Sequence, residues 1–174
     1  GLPYLVMEFL HGESLQARII RERQLPIPII IGIMADVLAG LEAAHKKNII
    51  HRDIKPENIF LVSKPRPLAK VVDFGVSKMS FYDTEGGEEA QLTKTGMVMG
   101  TPYYMSAEQA RGLRDLDARV DVYACGVIFY EMLTGIRPFI AKNHHDLLIQ
   151  IIKQDARPAM EIRTDLPKEL GDVL

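Results

Sequence analysis

The stretch that most constrains this chain is HRDIKPENIF, residues 51–60. Its first eight residues contain a histidine, two cations, two acids and an asparagine, and an apolar stretch follows directly. A solvated loop does not need so many functional groups, and a buried strand does not tolerate them. The pattern therefore indicates a functional loop that leads into a strand.

Two short apolar stretches, NIFLV and AKVVDF, follow this loop and are separated by the proline-containing SKPRPL. They predict a β-hairpin whose prolines lie outside the hydrogen-bonded ladder. A hairpin brings its two outer ends together, so we expect Asn58 and Asp73 to converge. Amide and carboxylate oxygens at one place suit Mg²⁺, which usually takes one or two carboxylates together with phosphate oxygens and water.

Two charged residues of the same loop complete this predicted site. Asp53 lies one loop away from the metal ligands, where a carboxylate is placed to accept a proton from a hydroxyl. Lys55, two residues further on, is placed to neutralise a phosphoryl group during its transfer. Metal ligands, a base and a cation together form the set that phosphoryl transfer requires.

The remainder of the chain predicts mostly helices with little sheet. Leu2–Phe9 is apolar and rich in β-formers, which predicts a buried strand. Residues 12–24, 25–48 and 143–154 predict helices, and residues 118–134 are apolar on nearly every side, as in a helix at the centre of a domain. The expected apolar face of the second helix consists of Ile30, Met34, Val37, Leu38 and Leu41.

Composition narrows the class of protein. The chain has 174 residues, 47% of them apolar and 25% charged, which suits one globular domain. A net charge of -2 gives no indication of nucleic-acid binding, and the single cysteine, Cys125, excludes an internal disulfide. No signal peptide or membrane-spanning segment is recognised, and we expect a cytoplasmic location, with membrane anchoring of the parent protein through a segment outside residues 1–174 as an open alternative.

Four motifs, HRDIKPEN, DFG, GTPYYMSAE and DVYACGVIFYEMLTGIRPF, resemble the catalytic lobe of a eukaryotic-type (Hanks-type) protein kinase. They occur in the order of that family, and the resemblance covers essentially the whole chain. IKPEN and GTPYYMS resemble the serine/threonine branch, and MSAEQARG is similar to bacterial members. The resemblance implies an α+β protein-kinase-like fold, mostly α, with a helical C-terminal lobe and a small β-hairpin. It also implies transfer of the ATP γ-phosphate to Ser/Thr hydroxyls of proteins with Mg²⁺.

The resemblance assigns roles to the predicted site. Asp53 is expected to be the catalytic base and Lys55 to contact the γ-phosphate, while Asn58 and Asp73 bind magnesium. The opening YLVMEFLHG resembles the hinge that connects the two lobes of a kinase. The residues expected to contact the adenine of ATP are Met7, Glu8, Leu10 and Phe60.

Supporting residues follow from the same resemblance. His51 and Phe74 are expected in the apolar column that couples the two lobes, and Asp121 is expected to hold the backbone of the catalytic loop. Arg52 is expected to attract a phosphate on the long loop from Asp73 to Glu108. Thr93 and Thr95 are the expected phosphorylation sites. Thr101 is expected to shape the substrate-binding floor, and Glu108 is expected to be unpaired.

Simpler interpretations of these residues stay open at the level of sequence. Asp121 is also suited to a plain helix N-cap, Asn58 to a turn, and Thr95 to an ordinary solvated loop. Met7 and Phe60 are apolar enough to be core residues whether or not they touch a ligand.

By this resemblance we expect the chain to begin at the hinge and to stop within the lobe, because the glycine-rich loop and the strand lysine of kinases do not occur in it. We expect residues 1–174 alone to bind Mg-ATP weakly without turnover, and the parent protein to be active, with homodimerisation for autophosphorylation in trans. The alternatives are a pseudokinase or nucleotide-binding scaffold, a truncated translation product, and a helical binding module without nucleotide.

Overall fold

The computed structural model describes residues 6–63, 68–74 and 102–173. Its sheet has three antiparallel strands in the order β1-β2-β3: β1 (Gly12–Ser14), β2 (Ile59–Val62) and β3 (Leu68–Val71). Strands β2 and β3 form the predicted hairpin, in which Ile59 pairs with Val71. The third strand, β1, was not predicted. It pairs with β2, and Gly12 lies so close to that strand that a Cβ at this position would be 1.9 Å from the carbonyl oxygen of Leu61.

Helix α1 (Leu15–Glu22) begins directly after strand β1. The hydroxyl of Ser14 accepts a hydrogen bond from the amide of Ala17 at 3.2 Å, which satisfies one of the free amides of the first helical turn. Leu15 and Ile19 are the buried residues of this helix and join the main core. The same short segment therefore ends the sheet and starts the helical part of the molecule.

Helix α2 (Ile27–His45) packs against helix α4 (Arg119–Thr134) and against β3, and it lies against the end of the hairpin. Its buried residues are Ile30, Ile33, Met34, Val37 and Leu41. Leu38, which we predicted on that face, is 44% exposed, because it faces a surface groove that it shares with Glu42, His45 and Val122. Asp36 accepts a hydrogen bond from the amide of Ala69 at 3.0 Å and so ties the helix to strand β3.

Within the described residues, α2 is also long and apolar enough to cross a membrane by the criteria of length and composition. Core helices of soluble proteins satisfy the same criteria. Its inward face belongs to the main hydrophobic core, beside residues from the sheet and from α4.

The remaining helices are α3 (Ala107–Ala110), α4 (Arg119–Thr134), α5 (His144–Lys153) and α6 (Lys168–Gly171). As predicted, α4 is the central helix, and its buried residues run from Val120 to Leu133 along most of its circumference. It ends at Gly135, which adopts the left-handed conformation with φ 76° that ends many helices. Short 3₁₀ turns occur at Pro56–Asn58, Pro102–Tyr104 and Ala159–Glu161.

The prediction of a buried strand at Leu2–Phe9 is wrong for residues 6–9, and residues 1–5 lie outside the described part. Residues 6–9 form no strand, and Val6 and Phe9 are 83% and 79% exposed. Their apolar composition suggested burial, but no other described strand pairs with this segment.

Candidate active site

The loop at residues 51–55 is fixed to the end of the hairpin through His51. The His51 ring is fully buried and its Nε2 lies 3.0 Å from the carbonyl oxygen of Val72. Its Nδ1 accepts a hydrogen bond from the amide of Asp53 at 3.3 Å, so Nε2 is the nitrogen that carries the proton. The ring also contacts Phe74, with 4.8 Å between centroids. His51 and Phe74, which we expected to belong to one apolar column, are thus in contact.

Asp121 holds the same loop from helix α4. Its Oδ2 accepts the amide of His51 at 2.9 Å, and its Oδ1 accepts the amide of Arg52 at 2.8 Å. The residue is 1% exposed, and two fixed main-chain donors replace the water that its carboxylate loses. These bonds go to the loop and the N-cap of α4 is Ala118, so the interpretation of Asp121 as a plain helix cap was wrong.

Asp53 and Lys55 lie side by side just beyond this anchor. The Nζ of Lys55 is 3.0 Å from Oδ2 of Asp53, and both side chains are about a quarter exposed, at 27% each. The pair therefore presents an anionic base and a cation at the edge of the structure, where a substrate could reach both.

Asn58 comes directly before strand β2, and Asp73 comes two residues after strand β3, so both lie at the same end of the hairpin. The carbonyl oxygen of Asn58 accepts a hydrogen bond from the amide of Val72 at 2.9 Å. Asp73 is the next residue in the chain after Val72. The side-chain NH₂ of Asn58 donates to the carbonyl oxygen of Asp53 at 2.9 Å, which leaves its Oδ1 as an acceptor. Asp73 is exposed and adopts φ 56°, a conformation that is uncommon outside glycine and asparagine.

An amide oxygen and an exposed carboxylate at one end of a hairpin are a donor set that suits Mg²⁺ with phosphate oxygens and water as its other ligands. Within the described residues, no group of three or more His, Cys, Asp or Glu side chains is placed to hold a metal ion. A site formed from Asn58 and Asp73 would therefore depend on a phosphate to complete it.

Arg52, next to the base, has an unusual conformation and an unsatisfied donor. Its φ is 64°, and its carbonyl oxygen accepts a hydrogen bond from the side chain of Gln109 at 2.8 Å. Its Nε is buried, and this atom has no hydrogen-bond partner within residues 6–63, 68–74 and 102–173. A guanidinium held in this way suits an incoming anion.

Of the residues expected to contact adenine, Phe60 lies on the central strand β2 and Glu8 contacts the edge strand β3. Met7 is 67% exposed, and Glu8 forms an ion pair with Lys70 on strand β3 at 2.6 Å. Leu10 is half-buried, and Phe60 is half-buried on strand β2, where it pairs with Ser14 and Lys70. Glu8 and Phe60 are thus both adjacent to Lys70.

The expected activation-loop residues Thr93, Thr95 and Thr101 lie outside the described residues. Glu108 lies in helix α3, and within the described part of the chain it forms no ion pair. The pKa of its carboxyl is lowered by a hydrogen bond from its own amide, then by Ser106, and to a smaller extent by Arg111 and Arg119. Ser106, which caps this helix, is itself buried.

Several residues of the site were missed at the level of sequence. His45, in the last turn of α2, places Nε2 2.7 Å from Oδ2 of Asp121, so it shares that oxygen with the loop amide of His51. Gln109 reaches back to the carbonyl of Arg52. One feature of the sequence could have indicated such residues: two acids, Asp121 and Glu131, occur in an otherwise apolar helix. Buried acids require hydrogen-bond donors from other parts of the chain.

Comparison with known proteins agrees with this geometry. The family model of the protein kinase domain matches residues 3–173. The chain is 41% identical over 160 residues to the serine/threonine-protein kinase Pkn1 of Myxococcus xanthus, an alignment that covers 90% of the chain and 21% of Pkn1. It is 38% identical over 173 residues to the serine/threonine-protein kinase PknB of Mycolicibacterium smegmatis, which covers 99% of the chain and 26% of PknB.

A third relative carries a different name. The chain is 35% identical over 188 residues to the tyrosine-protein kinase MasK of Myxococcus xanthus, which covers the whole chain and 27% of MasK. The chain thus spans about a quarter of the length of these relatives, at 21–27%. The family match over nearly all of its residues, together with the anchored loop and the hairpin beside it, shows that the chain belongs to the protein kinase domain family.

Proposed function

We propose that this chain is the hinge and most of the C-terminal lobe of a serine/threonine protein kinase domain, and that the full-length protein transfers the γ-phosphate of ATP to Ser or Thr hydroxyls of proteins. The observation that carries this proposal is the arrangement of the loop at residues 51–58. Asp121 fixes two of its amides, and the base, the cation and the amide ligand then follow within six residues.

In this proposal each side chain has one task. Asp53 accepts a hydrogen bond from the substrate hydroxyl and orients it, with Lys55 beside it to balance the charge of the incoming phosphoryl group. Asn58 and Asp73 would hold Mg²⁺, which neutralises the charge of the ATP phosphates when it is bound. Met7, Glu8, Leu10 and Phe60 would contact the adenine.

The decisive experiment is the substitution Asp53→Asn in the full-length protein, assayed with radiolabelled ATP and a protein substrate. We expect phosphoryl transfer to fall by about 10²–10⁴-fold, the usual contribution of a positioned base. The matched control is Asp155→Asn, because Asp155 is exposed and is not part of the loop. If D53N keeps at least half of the wild-type rate, Asp53 is not the base and the proposal fails.

A second candidate function is a kinase that phosphorylates tyrosine. It is favoured by one observation, the 35% identity to a relative named as a tyrosine-protein kinase. Acid hydrolysis of the labelled product separates the two candidates. We expect phosphoserine and phosphothreonine, and phosphotyrosine as the main product would replace our proposal with this second one.

Arg52 supports a further part of the proposal, that Thr95, with Thr93, is phosphorylated in the active protein. Its buried Nε has no partner among the described residues, and a phosphate brings roughly −1.5 to −2 charge and three acceptor oxygens. Mass spectrometry of the active full-length protein tests this. Absence of phosphate from both threonines would contradict it.

We further propose that the kinase domain is cytoplasmic and that two copies of the full-length protein phosphorylate each other. Residues 1–174 alone should bind Mg-ATP weakly and show no turnover, which calorimetry and the radiolabel assay can test directly. Turnover by these residues alone would overturn this part of the proposal.

A further inference from the structure

A second buried acid of helix α4, Glu131, lies in a cluster that the proposed chemistry does not use. Glu131 is 6% exposed, and its two carboxylate oxygens are bound by different segments of the chain. The hydroxyl of Tyr104 donates to Oε2 at 2.7 Å, and Nε of Arg137 donates to Oε1 at 3.1 Å. A buried carboxylate with a phenol and a guanidinium is a satisfied site, so the cluster holds these three residues together.

Arg137 makes a second contact within this cluster. Its guanidinium carbon lies 4.1 Å from the ring centroid of Tyr103 and 5.8 Å from that of Tyr104. A guanidinium over an aromatic face is attractive, and more so when both are partly removed from water. One side chain therefore contacts both tyrosines and the buried acid.

The two tyrosines belong to the 3₁₀ turn Pro102–Tyr104, which follows Thr101 directly. Tyr103 packs against the main core and also against a second small core of Phe139, Leu147 and Ile151. The turn is therefore located where helix α5 meets the rest of the molecule. By the kinase resemblance, the same GTPYYMS segment carries the floor on which a protein substrate lies.

We propose that Arg137 is a positioning residue for protein substrate, which fixes the turn Pro102–Tyr104 by bridging Tyr103 to the carboxylate of Glu131. This inference rests on the proposed kinase function. Arg137 touches none of the residues assigned to phosphoryl transfer, so it acts through the turn. Its contribution should appear in the binding of protein substrate and not in the binding of ATP.

Arginine is required here for a geometric reason. Its planar guanidinium can stack on a ring with its face while it donates at its edge, whereas the ammonium of lysine is a compact point charge. Arg137→Lys keeps the charge next to Glu131 and loses the stack. Comparison of Arg137→Lys with Arg137→Ala therefore separates the ion pair from the stack.

The test is steady-state kinetics of the full-length protein with a fixed peptide substrate. For Arg137→Ala we expect KM for the peptide to rise about tenfold, the equivalent of losing one stacked, charge-assisted contact. KM for ATP and kcat at saturating peptide should stay within twofold of wild type. Arg137→Lys should lie between wild type and Arg137→Ala.

Arg157→Ala is the matched control. Arg157 also donates from Nε to a glutamate at 3.1 Å, but its side chain and that of Glu161 are 62% and 58% exposed. It should leave both KM values unchanged. If KM for ATP and kcat change together with KM for the peptide in Arg137→Ala, Arg137 is a general structural residue and the inference is wrong. An unchanged KM for the peptide would overturn it as well.

A second measurement keeps this inference separate from the kinase proposal. Hydrogen exchange of the amides at residues 103–106 should be faster in Arg137→Ala than in Arg157→Ala, whether or not the protein transfers phosphate. If the wild-type protein shows no kinase activity, the proposed function fails and this measurement still tests the turn. Equal exchange in the two variants would show that Arg137 does not hold the turn.

Discussion

The two ends of helix α4 bury one acid each, and the two acids are satisfied in different ways. Asp121, in the first turn, accepts hydrogen bonds from two main-chain amides of the loop at residues 51–52 and from His45. Glu131, ten residues later, is bound by two side chains, those of Tyr104 and Arg137. One helix thus anchors the proposed catalytic loop at one end and the proposed substrate floor at the other.

This difference predicts how strongly each of the two anchors depends on the identity of the residues around it. Main-chain amides are present with any residue except proline at positions 51 and 52, so the anchor at Asp121 depends on only two side chains, Asp121 itself and His45. The anchor at Glu131 depends on the identity of three side chains. We therefore expect changes at the first end to affect the chemistry and changes at the second end to affect substrate binding.

The largest effect should follow from Asp121→Ala. Two amides would lose their acceptor, at about 1–3 kcal/mol each, so the free energy of unfolding should fall by roughly 2–6 kcal/mol. Urea denaturation followed by circular dichroism measures this. The control is the exposed Asp115→Ala, for which a change within about 0.5 kcal/mol is expected. Equal effects of the two substitutions would remove the basis of the comparison.

Glu131→Gln should cost less, about 1–2 kcal/mol, because the amide keeps one acceptor and the shape of the side chain while the charge opposite Arg137 is lost. The same urea titration compares it with Asp121→Ala and with Glu161→Gln, a control in an exposed pair. A larger loss for Glu131→Gln than for Asp121→Ala would reverse the order of the two ends.

Tyr104→Phe should cost about 1 kcal/mol at neutral pH, the net value of one hydrogen bond. It should also change the response to alkali, because burial, and then Glu131, raise the pKa of the Tyr104 hydroxyl well above its usual range. A raised pKa means that the neutral phenol stabilises the fold below the unfolded pKa of about 10, and that this stabilisation is lost as pH rises above that value.

Urea titrations between pH 7 and 11 test this pH dependence. The stability difference between wild type and Tyr104→Phe should be constant up to about pH 10, the ordinary pKa of tyrosine, and should shrink above it. A difference that grows with pH would mean that the Tyr104 phenolate is favoured in the fold, contrary to the geometry beside Glu131.

The smallest effect is expected at Cys125, one turn after Asp121. Burial, and then the charge of Asp121, raise the pKa of its thiol to about 12. At pH 8.5 the thiol should therefore stay protonated, and iodoacetamide should label it far more slowly in the native protein than in urea. Labelling at the same rate in both states would show that this part of α4 is accessible.

Local sequence was sufficient for much of the fold. The alternation of apolar and turn residues predicted the hairpin, the periodicity of residues 25–48 predicted α2, and the nearly all-apolar composition of residues 118–134 predicted α4, because these patterns depend on neighbours close in the chain. Strand β1 was missed because three residues are too few for a pattern. Leu38 was wrongly predicted on the buried face. The periodicity of a helix predicts which residues share an apolar face, but it does not predict how far the partner helix covers that face.

For the site, the sequence by itself determined which side chains are available: Asp53, Lys55 and Asn58 lie within six residues, so one loop presents them together. Only the tertiary structure decided how that loop is held. The donors to Asp121 lie 69 and 70 residues away in the chain, and the phenol that binds Glu131 lies 27 residues away. Burial removes water from both carboxylates, and only the folded chain determines which donors replace it.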